Sequence, residues 1–159
     1  MRVSKRFPLA VHSLLFVSVL SPKKRVTSVL VAESTRSNPV TIRNIFLNLS
    51  DSGLLMTSAG KNGGVRLARK PKDITLWDIC QAVETNGVEE IFKLHETNAN
   101  CPVGKNVYQI LYPHMASAIN AMKTDMEQVT LETLVGELKY LLNDIKTEEN
   151  TEALPEQLE

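Results

Sequence analysis

Several side chains in the front half of the chain are of the types that read DNA bases. Asn38 and Pro39 are followed by Val40, Thr41, Arg43 and Asn44. Arginine can form two hydrogen bonds with guanine and asparagine two with adenine, while valine and threonine methyl groups can contact thymine. If these residues begin a helix, its first turns could enter the major groove of DNA. The alternative for Arg43 and Asn44 is an ordinary solvated helix face.

A glycine-rich segment further along could contact phosphates. Lys61, Asn62 and Gly63 lie between Gly60 and Gly64. Glycine lets backbone N–H groups approach a phosphate closely, and lysine adds positive charge. By itself this is weak evidence, because most glycine-rich turns only reverse the chain. Further candidates for contacts to DNA are Arg2, Lys5, Lys24, Arg25 and Ser28.

The charges are divided unequally along the chain. Residues 1–72 contain thirteen Lys and Arg against two acidic residues, which gives +11. Residues 73–159 contain five Lys against sixteen acidic residues, which gives −11. The net charge of zero hides this division. A basic front half indicates a surface for a polyanion, and the alternative is a basic face that is merely solvated.

The sequence lacks the motifs of the common enzyme and metal sites. It has no phosphate-binding loop, no nucleophile elbow and no clustered carboxylate pair in its basic half, so we predict that it is not an enzyme. Its two cysteines, Cys80 and Cys101, form neither a CxxC motif nor a zinc-ligand spacing. No metal site is expected, and this cysteine usage fits a reducing cytoplasm.

The elements that would position these residues have the order of a winged helix-turn-helix. Helices are predicted from Ser4 to about Leu20, then after Ser28 as N-cap, and then from Asn38 to a C-terminal stop at Gly53. Two short runs, 54–58 and 65–68, predict a hairpin. The fold class is therefore mainly α with a small β-hairpin wing, followed by a long C-terminal dimerisation helix.

The apolar run 7–20 has a second interpretation, because basic residues precede it as in a signal peptide. The run is too short to span a bilayer and has no small-x-small cleavage site after it. Without it the front half would lose most of its core. We therefore expect a first helix that packs against the rest of the domain.

The second half of the chain is predicted to be helical apart from one loop. Thr75 and Asp78 indicate a capping box for a helix to about Glu84, and 85–100 is expected to be mainly loop. A long helix follows, in which Pro113 should cause a kink or a split, and Thr130 caps a last helix. We expect the apolar faces of these two helices to be buried, either against a second copy of the chain or against its own N-terminal domain.

These observations divide the chain into four parts. Residues 1–72 form the winged helix-turn-helix domain, and 73–100 a connecting helix and loop. Residues 101–146 form the dimerisation helices, and 147–159 an acidic tail that is expected to be disordered.

Six short motifs, in this order, resemble the Rrf-2 family of bacterial regulators. The resemblance runs from Met1 to about Leu142, and its specificity comes from the order, since each motif alone is loose. The wing has Val65 where the family usually has an aromatic residue. The motifs are Met-Arg-x-Ser-x-Arg-Phe at the start, Asn38-Pro-Val, Leu49-x-x-x-Gly-Leu-Leu, Gly60-Lys-Asn-Gly-Gly-Val-Arg-Leu-Ala-Arg, Ile74-Thr-Leu-x-Asp-Ile-x-x-Ala-Val-Glu and Asn-Cys101-Pro-Val-Gly.

The resemblance implies a homodimer in which the long helix pairs the protomers, while 38–44 and 61–63 bind double-stranded DNA. We therefore predict a sequence-specific transcription regulator, a repressor, on a near-palindromic operator, with no membrane partner and with an unknown small-molecule or redox effector. The alternative is a winged-helix module that binds proteins and has no specific DNA site.

Members of the family that bind an iron–sulfur cluster have three cysteines in the loop before the long helix, whereas this loop contains only Cys101. A cluster normally needs more thiolates, so we expect no cofactor and a place in the cluster-free, YwnA-like branch. Cys101 is a candidate redox sensor, because a helix N-terminus lowers the pKa of a thiol. The alternatives are a small residue that packs in the loop for Cys101 and a core residue for Cys80.

Overall fold

The computed structural model describes residues 4–20, 25–58, 60, 63–84, 96–98 and 100–152, with side chains as far as 143. Three helices and a hairpin come first, which confirms the order predicted from the sequence. The elements are α1 (Arg6–Leu20), α2 (Ser28–Thr35), α3 (Pro39–Asp51), β1 (Leu55–Ser58), β2 (Gly64–Leu67), a 3-10 turn (Pro71–Asp73), α4 (Leu76–Val83), α5 (Pro102–Gln128) and α6 (Leu131–Glu152).

The turn between α2 and α3 is built by local capping. The N-cap of α2 is Thr27, whose side chain accepts from Leu30 N, so the prediction of Ser28 as the cap is wrong by one residue. Ser28 instead begins the helix, because the extended backbone of Thr27 points its hydroxyl at the free N–H groups. Arg36 then adopts a left-handed backbone, and Asn38 caps α3 by accepting from Val40 N at 2.8 Å.

Helix α3 ends as predicted, at a glycine with a left-handed backbone. Gly53 has φ +67°, and its N–H donates to the carbonyl of Ser50, while Leu54 N donates to Leu49 O at 2.8 Å. This pair of bonds is a Schellman motif, and Leu49 and Leu54 are both buried beside it. Helix α3 therefore leads directly into the wing.

The wing is an antiparallel hairpin that pairs Leu55 with Leu67 and Ser58 with Gly64. The linker between α1 and α2 adds an isolated bridge on the other side of β2, between Val26 and Val65. The wing is thus attached to the linker along β2, and this attachment defines the position of the wing relative to α3.

One hydrophobic core holds α1 to α4 and the wing together. The deepest members come from every element of the front half, and Leu131 at the start of α6 joins them with no exposed surface. In α3 the core face is Ile42, Ile45, Phe46 and Leu49, whereas Val40 is 54% exposed. Val40 lies in the first turn of the helix, where the body of the domain does not cover it.

Helix α1 contributes four fully buried residues to this core, which supports its interpretation as part of the domain: Ala10, Ser13, Leu14 and Val17. Among the described residues, no helix has the length and apolar character that crossing a membrane requires.

Helix α4 begins with the predicted capping box. The hydroxyl of Thr75 accepts from Asp78 N at 3.1 Å, and the carboxylate of Asp78 accepts from Thr75 N at 3.0 Å. The same end of α4 is bonded to the junction of α5 and α6, because Leu76 N donates to Val129 O and Leu131 N donates to Ile74 O. Most of the predicted loop 85–100 lies outside the described residues.

Helix α5 is continuous across Pro113, so a split of this helix is wrong. Proline removes one backbone donor, which leaves the carbonyl of Gln109 for water, and both residues are exposed. Helix α6 begins after Thr130, whose hydroxyl accepts from Thr133 N as predicted. It continues to Glu152, past residue 147, where the disordered tail was predicted to start; glutamates such as Glu148 and Glu149 favour a helix.

Candidate nucleic-acid interface

A groove lies between the start of α2, the outer face of α3 and the wing. Four of the residues predicted from the sequence line it together, namely Arg25, Ser28, Arg43 and Gly63. The described lining includes two arginines, Arg25 and Arg43, and no acidic residue. A concave surface with one sign of charge concentrates a polyanion. The other lining residues are Val26, Thr27, Phe46, Leu47, Thr57, Ser58, Gly60, Gly64 and Val65.

The first turns of α3 are presented to solvent next to this groove. Every predicted base-reading residue of the segment is exposed: Asn38, Pro39, Val40, Thr41, Arg43 and Asn44. Ile42 points the other way and is fully buried, which fixes the rotation of the helix about its axis. The arrangement is that of a reading helix held from behind by its apolar face.

Asn38 has two roles in this arrangement. Its Oδ1 accepts from Val40 N and so caps the helix, which leaves its amide nitrogen for other partners. The predicted contact of Asn38 with a base would use that nitrogen or the second lone pair of Oδ1.

Among the groove residues that were not singled out as base or phosphate contacts in the sequence, four bring exposed apolar surface or hydroxyl groups: Thr27, Leu47, Thr57 and Ser58. Leu47 is 54% exposed on α3, and Val40, Arg43 and Leu47 follow one another along the same side of the helix. The spacing of these three residues, i, i+3 and i+7, is visible in the sequence. Thr27, Thr57 and Ser58 bring hydroxyl groups from the linker and from β1, and no local pattern places those two segments together.

Four predicted contact residues lie outside the described part of the chain: Arg2, Lys24, Lys61 and Asn62. The described residues on either side of the wing tip, Gly60 and Gly63, both line the groove. Gly60 has φ +92°, a backbone that favours glycine.

The two cysteines lie in opposite environments. Cys101 is exposed at the N-terminus of α5, away from the groove, and the backbone N–H groups of Gly104 and then Val103 lower its pKa. Cys80 is buried with Trp77 and is packed against Met122 and Met126, which confirms its predicted place in the core. Burial, and then the negative charge of Glu84, raise the pKa of Cys80.

The fold and this groove define a winged helix-turn-helix transcriptional regulator. The chain belongs to the Rrf2 family, whose model, described as an iron-dependent transcriptional regulator, matches residues 3–137. This membership confirms the resemblance noted in the sequence and the prediction of a regulator rather than an enzyme.

Individual relatives agree with this family. YwnA of Bacillus subtilis, named as an HTH-type transcriptional regulator, is 31% identical over 137 residues, which cover 86% of this chain and 98% of YwnA. The HTH-type transcriptional regulator NsrR of Halalkalibacterium halodurans is 33% identical over 141 residues, which cover 81% of this chain and 89% of NsrR. A crystal structure described as a transcriptional regulator from Lactobacillus plantarum superposes with a TM-score of 0.70 at 26% identity, covering 92% of this chain and 97% of that one.

The family description names iron, and the cysteines of this chain do not fit an iron–sulfur cluster. The chain has two thiols in all, and Cys80 is buried in the packing between α4 and α5 with its pKa raised, where a thiolate ligand is disfavoured. In the described part of the chain, no three His, Cys, Asp or Glu side chains are grouped as metal ligands.

Proposed function

We propose that the chain binds a near-palindromic DNA operator as a homodimer and represses transcription from it. The observation that carries this proposal is the basic groove between α3 and the wing, with the exposed first turns of α3 beside it. Such a protein meets its DNA in the cytoplasm, which we propose as its location.

The shape of the groove supports a particular placement of the DNA. With α3 in the major groove and the wing at the neighbouring minor groove, the sugar–phosphate backbone between those grooves would lie along the protein groove. Arg25, Ser28 and the hydroxyls of Thr57 and Ser58 would contact phosphates, and Lys61 and Asn62 would do so from the wing tip. Val40, Thr41, Arg43 and Asn44 would then meet base edges, and Arg2 would contact the backbone nearby.

The homodimer is supported by apolar surface that a single chain leaves uncovered. On α5, Val103 is 72% and Ile110 is 68% exposed, and on α6 Tyr140 is 70% exposed. A separate groove, apolar and of about 630 Å³, lies between α1 and α6 and is lined by Phe7, Leu15, Leu134, Leu138 and their neighbours. Apolar surface of this extent favours association, and a second copy would cover it by a two-fold arrangement.

We further propose that the regulator works without an iron–sulfur cluster and that Cys101 is the candidate site for a redox signal. The exposure of Cys101 and the lowered pKa of its thiol support reactivity. A small-molecule effector is the other source of a signal.

Selection of bound sequences from a random DNA pool, with the purified full-length chain, tests the proposal. We expect a two-fold symmetric site whose half-sites are roughly 34 Å apart or a multiple of that. A second measurement, affinity against salt concentration, should show a steep decline as phosphate contacts release counterions. A protein-interaction module would instead give no enriched sequence, and weak binding to all DNA alike would also contradict a specific operator.

A further inference from the structure

One arginine joins three elements of the DNA-binding domain that are distant in the sequence. Arg69 lies two residues after β2, and its Nη2 donates to the carbonyl oxygen of Ser52, just past the end of α3, at 3.1 Å. Its Nη1 lies 3.9 Å from Oδ2 of Asp78 in the first turn of α4. The stem of the wing, the end of the reading helix and the start of α4 therefore meet at a single guanidinium.

The charges at this point complement the helix ends. The C-terminal end of α3 carries partial negative charge, and its last turn supplies no basic residue of its own. Arg69 provides the missing cation from another element. Asp78 provides the acidic residue that favours the N-terminal end of α4, so each side chain suits both its own helix end and its partner.

From Asp78 the connection continues to the long helices. The same Oδ2 that faces Arg69 accepts from Thr75 N, and the adjacent residue, Leu76, donates to Val129 O at 2.9 Å. Val129 lies between α5 and α6. A short chain of polar contacts thus runs from the end of α3, through Arg69 and Asp78, to the junction of the proposed dimer helices.

We propose that Arg69 is a positioning residue: it holds α3 in one orientation relative to the α5–α6 junction and thereby sets the separation of the two reading helices in the dimer. The consequence for spacing rests on the proposed function, since it needs two protomers on DNA. The connection from α3 to the α5–α6 junction does not rest on the proposed function, because every contact in it lies within one chain. A direct contact between Arg69 and phosphate is the competing explanation, since its side chain is 43% exposed.

Three variants separate these explanations. Arg69→Met removes both contacts and keeps much of the aliphatic packing. Asp78→Asn removes the ion pair, while the amide oxygen can still accept from Thr75 N and preserve the capping box. Lys70→Met is the matched control, because it removes the same charge from the adjacent exposed residue.

The first measurement is amide hydrogen exchange of the full-length protein without DNA. Asp78→Asn should speed exchange in the last turn of α3 by roughly twofold to fivefold, although Asp78 itself lies in α4. Arg69→Met should speed exchange both there and at the start of α4, and Lys70→Met at neither place. If exchange in α3 is unchanged in Asp78→Asn, the connection does not exist and the proposal is overturned, whatever the DNA results are.

The second measurement is affinity for a set of operators with half-sites at different separations, together with an isolated half-site. Arg69→Met should lose affinity at the best spacing by roughly threefold to tenfold, with a broader range of accepted spacings and an unchanged half-site affinity. An equal loss on the isolated half-site and at every spacing, or an unchanged spacing profile, overturns the positioning role. If the wild-type protein selects no operator, the proposed function fails, and the exchange experiment still decides whether Arg69 connects α3 with α4.

Discussion

The N–H of Val65 in the wing donates a hydrogen bond to the carbonyl oxygen of Val26 at 3.0 Å, across 39 positions of the sequence. This bond attaches the wing to the linker that precedes α2. It brings Arg25 beside the wing and α3, and so completes one wall of the basic groove. The position of the wing is therefore a property of the whole domain and not of the hairpin alone.

Replacing Gly64 with alanine should loosen that attachment. A Cβ at Gly64 would lie 2.9 Å from Val26 O and 3.0 Å from Cγ of Arg25, so β2 and the linker before α2 would have to separate. We expect Gly64→Ala to lower the free energy of unfolding by about 1–3 kcal/mol, measured by denaturant titration. Gly136→Ala is the control, because a Cβ there meets nothing within 4 Å and alanine should stabilise α6 by up to about 1 kcal/mol. Equal effects of the two substitutions would contradict the close packing of the wing on the linker.

Replacing Arg43 with alanine should change which sequence is bound. If its guanidinium reads guanine, the free energy of operator binding should weaken by about 1–3 kcal/mol, and one base position of the operator should accept other bases. Lys61→Ala is the comparison, because a wing-tip lysine on phosphate should weaken all sequences alike and flatten the salt dependence. Binding selections with each variant decide this, and an unchanged base preference in Arg43→Ala would assign Arg43 to the backbone instead.

The exposed leucine of α3 should matter for DNA although it is apolar. Leu47 lies beside Arg43 in the groove, where thymine methyl groups or deoxyribose would cover it. We expect Leu47→Ala to weaken operator binding by about 1 kcal/mol and to leave the free energy of unfolding nearly unchanged, because 54% of its surface is already exposed. A large loss of stability with unchanged operator affinity would show instead that Leu47 serves the core.

The two cysteines should respond differently to pH. Because neighbouring backbone N–H groups lower the pKa of Cys101, more of its thiol is ionised at neutral pH than for an ordinary cysteine, and it should be alkylated faster. Burial raises the pKa of Cys80, so its alkylation should need higher pH or unfolding. Mass spectrometry after iodoacetamide treatment across a pH series measures both. Cys101→Ser should abolish the fast reaction, and a fast reaction that survives this change would refute the assignment.

A charge on the exposed face of α5 should separate the protomers. Ile110 is 68% exposed in the single chain, and an aspartate there would be buried unpaired in a dimer. We expect Ile110→Asp to raise the dimer dissociation constant by about tenfold or more, measured by analytical ultracentrifugation. Gln109→Asp adds the same charge at the neighbouring exposed position and should have a smaller effect. A monomeric wild-type protein, or equal effects of the two variants, would argue against α5 as the interface.

Local patterns in the sequence determined most of the elements. The cap at Asn38, the stop at Gly53 and the capping box at Thr75 and Asp78 involve groups that are adjacent in the chain, so short motifs specify them. The same holds for the order of helices and hairpin. Where two adjacent residues could each serve as an N-cap, the sequence did not decide between them, and Thr27 rather than Ser28 caps α2.

Only the tertiary structure decided which of these elements meet. The bond between Val65 and Val26, the meeting of Thr27 and Thr57 in the groove and the contact of Arg69 with Ser52 all join residues that no periodicity relates. Burial of one shared core brings those segments together, and the side chains that remain outside it become the groove. Residue types and spacing therefore predicted α3 and its capped start, whereas the walls of the groove beside it depend on long-range packing that a single sequence does not display.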